Sequence, residues 1–265
     1  MLPYRNHVKS WLRAGEPTLF GRFQAANNGV TIASGPPWVR NGRSWAFNGS
    51  GYLQVNNGPV LIRGSEWLIA ASVKANAASG RDRAIYVERG SSGNDILKIE
   101  IRDSSAVSDP SCLRVTYRDD GGTLLQYAGD KVIADGSWHS VGAYRRGNSI
   151  VLFADGRQTK LSASWGGSDT FTDTVESRIG GDIADSNASM LSGDYVSEVL
   201  LLSRGFPIDS YLTDESPQRL VYDTSRGLAW QKRRPHPLIF LPAAGSFKSA
   251  WARNSNVILQ PGVLT

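Results

Sequence analysis

The chain has 265 residues, of which 40% are hydrophobic, with 28 glycines, one cysteine and a formal net charge of +5. This length and apolar content supply one substantial core and leave no expectation of a second full domain, since an all-β sandwich of such a size is commonly a single unit. Cys112 alone excludes an internal disulfide, and no apolar run approaches the about 18 residues of a membrane span. Residues 1–15 carry charges every few positions where a signal peptide would be apolar, so folding in a reducing cytoplasm is expected.

The first segment, residues 1–22, holds Arg5, Lys9, Arg13 and Arg22 against Glu16, a net +3, and interleaves them with Tyr4, Trp11, Leu12, Leu19 and Phe20. It reads as a basic, aromatic N-terminal arm. From residue 23 to 215 the charge reverses to −4 and the pattern becomes that of a sheet protein. Trp67, Ile69, Ala71 and Val73 alternate with Leu68, Ala70, Ser72 and Lys74, and Leu97, Ile99 and Ile101 alternate with Lys98, Glu100 and Arg102. Leu113, Val115 and Tyr117 repeat the period against Arg114, Thr116 and Arg118. Residues 135–157 predict turn, strand, turn, strand, turn, because Asp135-Gly136, Gly147-Asn148 and Asp155-Gly156 flank two runs rich in β-branched and aromatic residues. Clusters of Gly, Asn, Asp and Ser separate the other runs, and the only stretch that could hold a short helix is 207–220. Many short strands predict an all-β, two-sheet antiparallel sandwich, with Trp67, Phe153 and Leu201 pointing into its core.

Residues 216–265 form the second basic end, with seven Lys or Arg against Asp223, a net +6. They interleave Leu220, Val221, Tyr222, Leu228, Trp230, Leu238, Ile239 and Phe240 with Lys232, Arg233, Arg234 and several prolines. So much apolar surface has to dock on something, either the chain's own sandwich or a neighbouring subunit.

The order Trp138-His139 before one strand and Phe153-Ala-Asp-Gly156 closing the next resembles the central hairpin of laminin-G-like, concanavalin A-like jelly rolls. Residues 44–55 and 66–74 are similar to the entry strand and its successor, and Arg178-Ile-Gly-Gly181 with 191–203 to the closing glycine turn and last strand. The resemblance implies a jelly roll over 23–215 with extended N- and C-terminal arms at 1–22 and 216–265. A tail of this kind, after a laminin-G-like domain without a signal peptide, also resembles virion proteins of tailed bacteriophages, whose arms tie capsid, neck or tail subunits together. That resemblance implies a non-enzymatic virion structural protein, made in the host cytoplasm, that forms homo-oligomers and docks to other virion proteins. Tyr4, Trp11, Arg13, Tyr222, Trp230, Lys232, Arg233, Arg234 and Phe240 are then the partner-binding residues, since aromatic and arginine side chains are favoured at interface anchors. Nucleic acid is a weaker partner for the Lys232-Arg-Arg234 run, which belongs to no recognised nucleic-acid fold.

The alternative is a lectin-like, glycan-binding module. Trp165, before a Gly-Gly in an expected loop, is the candidate for stacking on a sugar, against a plainer reading as a core or rim anchor. Many laminin-G-like domains hold calcium at the rim, and Asp182, Asp185 and Asn187 offer oxygen ligands for one, as does Asp119-Asp120; the plain reading is a solvated turn. Paired carboxylates for glycoside hydrolysis are not spaced as that chemistry needs: Asp95 with Glu100 and Asp194 with Glu198 are the nearest approximations, so no hydrolase activity is expected. His139 reads as a packed or turn-bonding residue, Cys112 as a small apolar filler, and Lys98, Arg102, Arg114 and Arg118 as a solvated face laced with Glu100 and Asp103.

Overall fold

The computed structural model describes residues 8–13, 25–37, 42–55, 61–62, 64–90, 96–160, 163–167, 175–183 and 190–203. Among them are strands β1 (Val8–Arg13), β2 (Ala25–Asn28), β3 (Thr31–Ser34), β4 (Arg43–Ala46), β5 (Tyr52–Val55), β6 (Glu66–Lys74), β7 (Arg83–Gly90) and β8 (Ile96–Ile101). These are followed by β9 (Cys112–Arg118), β10 (Leu124–Val132), β11 (Trp138–Arg146), β12 (Ser149–Ala154), β13 (Arg157–Gln158), β14 (Ala163–Ser164), β15 (Val175–Ile179) and β16 (Tyr195–Ser203). No described residue is helical, and the segment 207–220 lies outside the described residues.

The strands form two antiparallel sheets. One runs β13-β12-β11-β6-β16-β4-β3, with β14 on β12 and β1 on β16; the other runs β10-β9-β8-β7-β15-β5-β2. This is the expected two-sheet jelly-roll sandwich. The central strand β16 shares its outer edge between two partners: Tyr195 and Val196 pair with β4, and Glu198 to Leu202 pair with β1. The N-terminal segment is therefore not an arm throughout its length. Val8–Arg13, expected outside the sandwich, completes the first sheet by covering the half of β16 that β4 leaves unpaired, so Trp11 and Arg13 are strand residues. Tyr4 lies outside the described residues, as do Tyr222, Trp230, Lys232, Arg233, Arg234 and Phe240.

Between the sheets, period-two alternation places Trp67, Ile69, Ala71 and Val73 of β6 against Leu97, Ile99, Ile101, Leu113, Val115 and Tyr117. Trp67 and Leu201 point inward as expected. Phe153 is buried too, at 2% exposure, but on the opposite parity from the core residues Ile150, Leu152 and Ala154, so it belongs to the far face of its sheet. The loop candidate Trp165 is 1% exposed and packs edge-on against Tyr117 with centroids 4.5 Å apart, so it is a core anchor and offers no ring face to a sugar.

Each end of this core is closed by a buried arginine. At one end Arg145 donates to the Tyr117 hydroxyl (2.5 Å), the Gly64 carbonyl (3.2 Å) and the Gly147 carbonyl (2.8 Å), and Tyr117 in turn donates to the Ile62 carbonyl (2.5 Å). The amides of Leu61 and Ile62 donate to Glu88, which also accepts from Tyr86 at 2.6 Å. A bulge between Ala84 and Tyr86 turns Tyr86 and Glu88 inward. At the other end Arg83 donates through Nη1 to both oxygens of Asp194 at 3.1 Å and to the Asn76 carbonyl at 2.7 Å.

Burial pushes the Glu88 carboxyl up from its ordinary 4.5 to about 7, against the opposing effect of its hydrogen bonds from Tyr86, Ile62 and Leu61. The folded state thus holds a proton that the unfolded chain releases near pH 4.5, and Glu88's stabilising contribution is complete below that pH and lost as the pH rises through about 7. The expected difference in stability between wild type and Glu88→Gln changes by about 3 kcal/mol from pH 4.5 to pH 8, read by urea denaturation at each pH. Parallel pH profiles of the two proteins would show that Glu88 does not titrate in this range.

Candidate functional site

The hairpin turns that carry the sequence signature are tied together by one side chain. His139 Nδ1 lies 2.7 Å from Asp155 and Nε2 lies 3.0 Å from Asp135, so the imidazole bridges the Asp135-Gly136 and Asp155-Gly156 turns. Asp155, at φ 49°, also accepts from Lys131 (2.6 Å) and from the Ser140 amide (2.9 Å). Burial lowers the His139 pKa, but the two carboxylates outweigh it and raise the value overall, while hydrogen bonds from His139 and Lys131 hold Asp155 well below the usual carboxylate range. The imidazole fastens the turns, as its position before a strand suggested.

What this bridge positions is the residue before His139, Trp138. Parity on β11 sends Val141 and Ala143 into the core and leaves Trp138 on the outer face of the sheet. In register across the two neighbouring strands stand Lys74 of β6 and Tyr195 of β16, on the same face. Trp138 and Tyr195 lie two strands apart, a backbone separation of about 10 Å. Their rings lean toward each other over β6, with centroids 6.2 Å apart and planes inclined by 47°. The Lys74 ammonium lies 5.8 Å from the Tyr195 centroid. All three side chains are half-buried, so each keeps part of its surface in water.

Two residues beyond Lys74, just past the end of β6, the exposed Asn76 is flanked by glycines from both adjoining turns. A Cβ on Gly136 would lie 3.0 Å from the Asn76 Oδ1, and one on Gly193 would lie 3.8 Å from its Nδ2. Both glycines have positive φ, 83° and 89°, which the turns require, and neither places a Cβ beside the Asn76 side-chain amide. The result is an open ledge of two aromatic rings, an ammonium and an amide at one end of the first sheet. Such a set can stack on the apolar face of a ring and bond its polar substituents.

The residues singled out from sequence for metal or acid chemistry are engaged elsewhere. Asp182 accepts from Arg89 at 3.0 Å through one oxygen and from Lys98 at 3.1 Å through the other. A carboxylate held between two cations does not fit a calcium site, and Asp185 and Asn187 lie outside the described residues. Among the described residues no three metal-ligating side chains converge. Asp119 is buried and caps its turn by accepting from the Thr123 amide. Glu100 accepts from Lys98, Arg114 and Thr116, but it is buried and the two cations are largely covered, so these charges form a buried ion-pair network where a solvated face was expected. Asp194 is held by Arg83, and Asp95 lies outside the described residues. Cys112 is buried, and burial first, then Asp109 and Asp130, push its thiol up to about 11, as suits a core filler.

Residues 47–204 match the family model of the concanavalin A-like lectin/glucanases superfamily, of laminin G type. The chain belongs to that superfamily. No curated protein matches it in sequence. Among solved structures, domain 4 of AbnA, an extracellular GH43 arabinanase from Geobacillus stearothermophilus in complex with arabinotriose, is 12% identical with a TM-score of 0.55, over 83% of this chain and 98% of that domain. The botulinum neurotoxin serotype D binding domain is 12% identical with a TM-score of 0.58, over 83% of this chain. A Trypanosoma rangeli sialidase in complex with 2,3-difluorosialic acid is 12% identical with a TM-score of 0.57, over 86%. The chain spans about half the length of the neurotoxin domain and a third of the sialidase. At these identities the shared feature is the fold.

The ledge was not among the residues chosen from sequence. The alternation carried a signal for Lys74 and Trp138, which fall on the polar parity of their strands, whereas Tyr195 shares the sequence parity of Val199 and Leu201 and reaches the ledge face only through the bulge in β16.

Proposed function

We propose that this superfamily member is a non-enzymatic, lectin-like module that binds a glycan on the Trp138–Tyr195 ledge. The observation that carries the reading is the pair of half-exposed rings beside the uncovered Asn76 amide, a combination of apolar ring faces and orienting polar groups suited to a sugar. The match to nearly the whole of an arabinanase domain that holds arabinotriose supports it. The engagement of Glu100 and Asp194 by cations supports binding without turnover. A glycan array probed with the full chain and with Trp138→Ala tests the reading. Specific retention by the wild type and its loss in the variant is expected, whereas identical array profiles would overturn it.

A second reading, a bacteriophage virion protein that docks through its ends, is supported by the concentration of basic charge and aromatics at 1–22 and 216–265. Both can hold for one protein, which would present the ledge outward from a particle. Under this reading Trp230→Ala lowers incorporation into particles by the equivalent of about 2 kcal/mol while the isolated subunit keeps its thermal stability. Normal incorporation, or an unfolded subunit, would remove its support.

A further inference from the structure

Accepting the ledge as a glycan site, we propose that it selects acidic glycans, with Lys74 as the residue that recognises a carboxylate or sulfate on the sugar. The inference starts from how charge is matched around this end of the sandwich. Asp194 is held by Arg83, and Asp135 and Asp155 are held by His139 and Lys131. Elsewhere Lys98 has Glu100 and Asp182, Arg114 has Glu100 and Asp82, Lys160 has Asp109, and Arg178 has Glu176. Among the described residues no carboxylate forms such an ion pair with Lys74. Its one described interaction is with the face of the Tyr195 ring, 5.8 Å from the centroid.

An ammonium that is half-buried yet unpaired retains its hydrogen-bonding capacity for a ligand. Its position decides what kind. Lys74 stands on the strand between Trp138 and Tyr195, so a ring stacked on either aromatic brings its substituents over the ammonium. A neutral sugar offers only hydroxyls there, whereas a uronate or a sulfate ester offers an anion, so that both ends of the hydrogen bond carry charge and the ammonium is neutralised. The ring also holds the ammonium in place, so less freedom is lost on binding. The uronate and the sulfate share the chemistry that Lys74 would recognise, and the experiment separates them.

The test is calorimetric titration of the full chain with three probes of matched length: oligogalacturonate, the same oligomer fully methyl-esterified, and a sulfated neutral galactan. One of the two anionic probes should bind at least about tenfold tighter than the methyl ester, the ratio expected for a single charge-assisted contact. Lys74→Gln should bring that anionic probe down to the affinity of the ester, and Trp138→Ala should weaken every probe. The preferred anionic probe identifies the source as uronate or sulfate. Equal binding of ester and acids, unchanged by Lys74→Gln, would overturn the acidic selectivity and leave the glycan site standing. Anionic binding that survives Lys74→Gln would belong to the basic ends and would overturn the assignment to Lys74. If no probe binds, both the site and its selectivity fall.

Discussion

Asp194→Ala is expected to destabilise the fold by about 3–5 kcal/mol, the range for removing one partner of a buried ion pair. The cost comes from Arg83, which has no exposure and would keep only the Asn76 carbonyl as acceptor. Its Nε and Nη2 already lack partners, so the local structure has no spare acceptor to offer. Asp194 also receives the Leu191 amide at 2.8 Å, a contact that shapes the turn leading into β16. Replacing the pair together, by Arg83→Met with Asp194→Leu, is expected to cost less than Asp194→Ala, because both desolvation penalties disappear and only the turn contacts to Leu191 and Asn76 are lost. Urea denaturation of the single and double variants reads the difference. A loss below about 1 kcal/mol for Asp194→Ala would mean that water reaches the guanidinium.

Trp138→Ala is expected to weaken glycan binding by at least about 2 kcal/mol, some 30-fold, as loss of an aromatic anchor does at other recognition sites. Its cost in stability should stay near 1 kcal/mol, since the ring lies on the outer face and loses chiefly its cross-strand neighbours. Tyr195→Ala should have the same sign and a similar size, and Trp138→Phe should recover part of the loss by restoring an aromatic face. Equal losses in binding and in stability would instead make Trp138 a packing residue of the sheet.

The sandwich was legible because β6, β8 and β9 keep one parity along their length, so Trp67, Leu97 and Leu113 announce the inner face from sequence alone. The hairpin at 135–157 was legible through its glycine turns, and His139 could be placed because both turn aspartates lie within its reach. What escaped were the breaks in parity. In β7, alternation from Ile85 would send Val87 inward and Glu88 outward; the bulge reverses this, and no residue type marks it. In β16 the bulge between Val196 and Val199 separates Tyr195, on the ledge face, from the core positions Val199 and Leu201. Trp165 carried two readings in sequence, a sugar-stacking residue beside Gly166-Gly167 and a core or rim anchor, and the structure has the anchor. Gly167 is where the chain passes close to that anchor, since a Cβ there would collide with the Trp165 ring, while Gly166 faces open space. Val8–Arg13 was hidden by its basic composition, which an edge strand tolerates as well as an arm does.

The most direct measurement is amide chemical-shift mapping of the full chain titrated with its best-binding oligosaccharide. The account predicts perturbations centred on Lys74, Asn76, Gly136, Trp138, Gly193 and Tyr195, at the end of the first sheet where the two rings meet. Perturbations confined to the opposite end of the sandwich, around Asp119, Gly147 and Trp165, would contradict it.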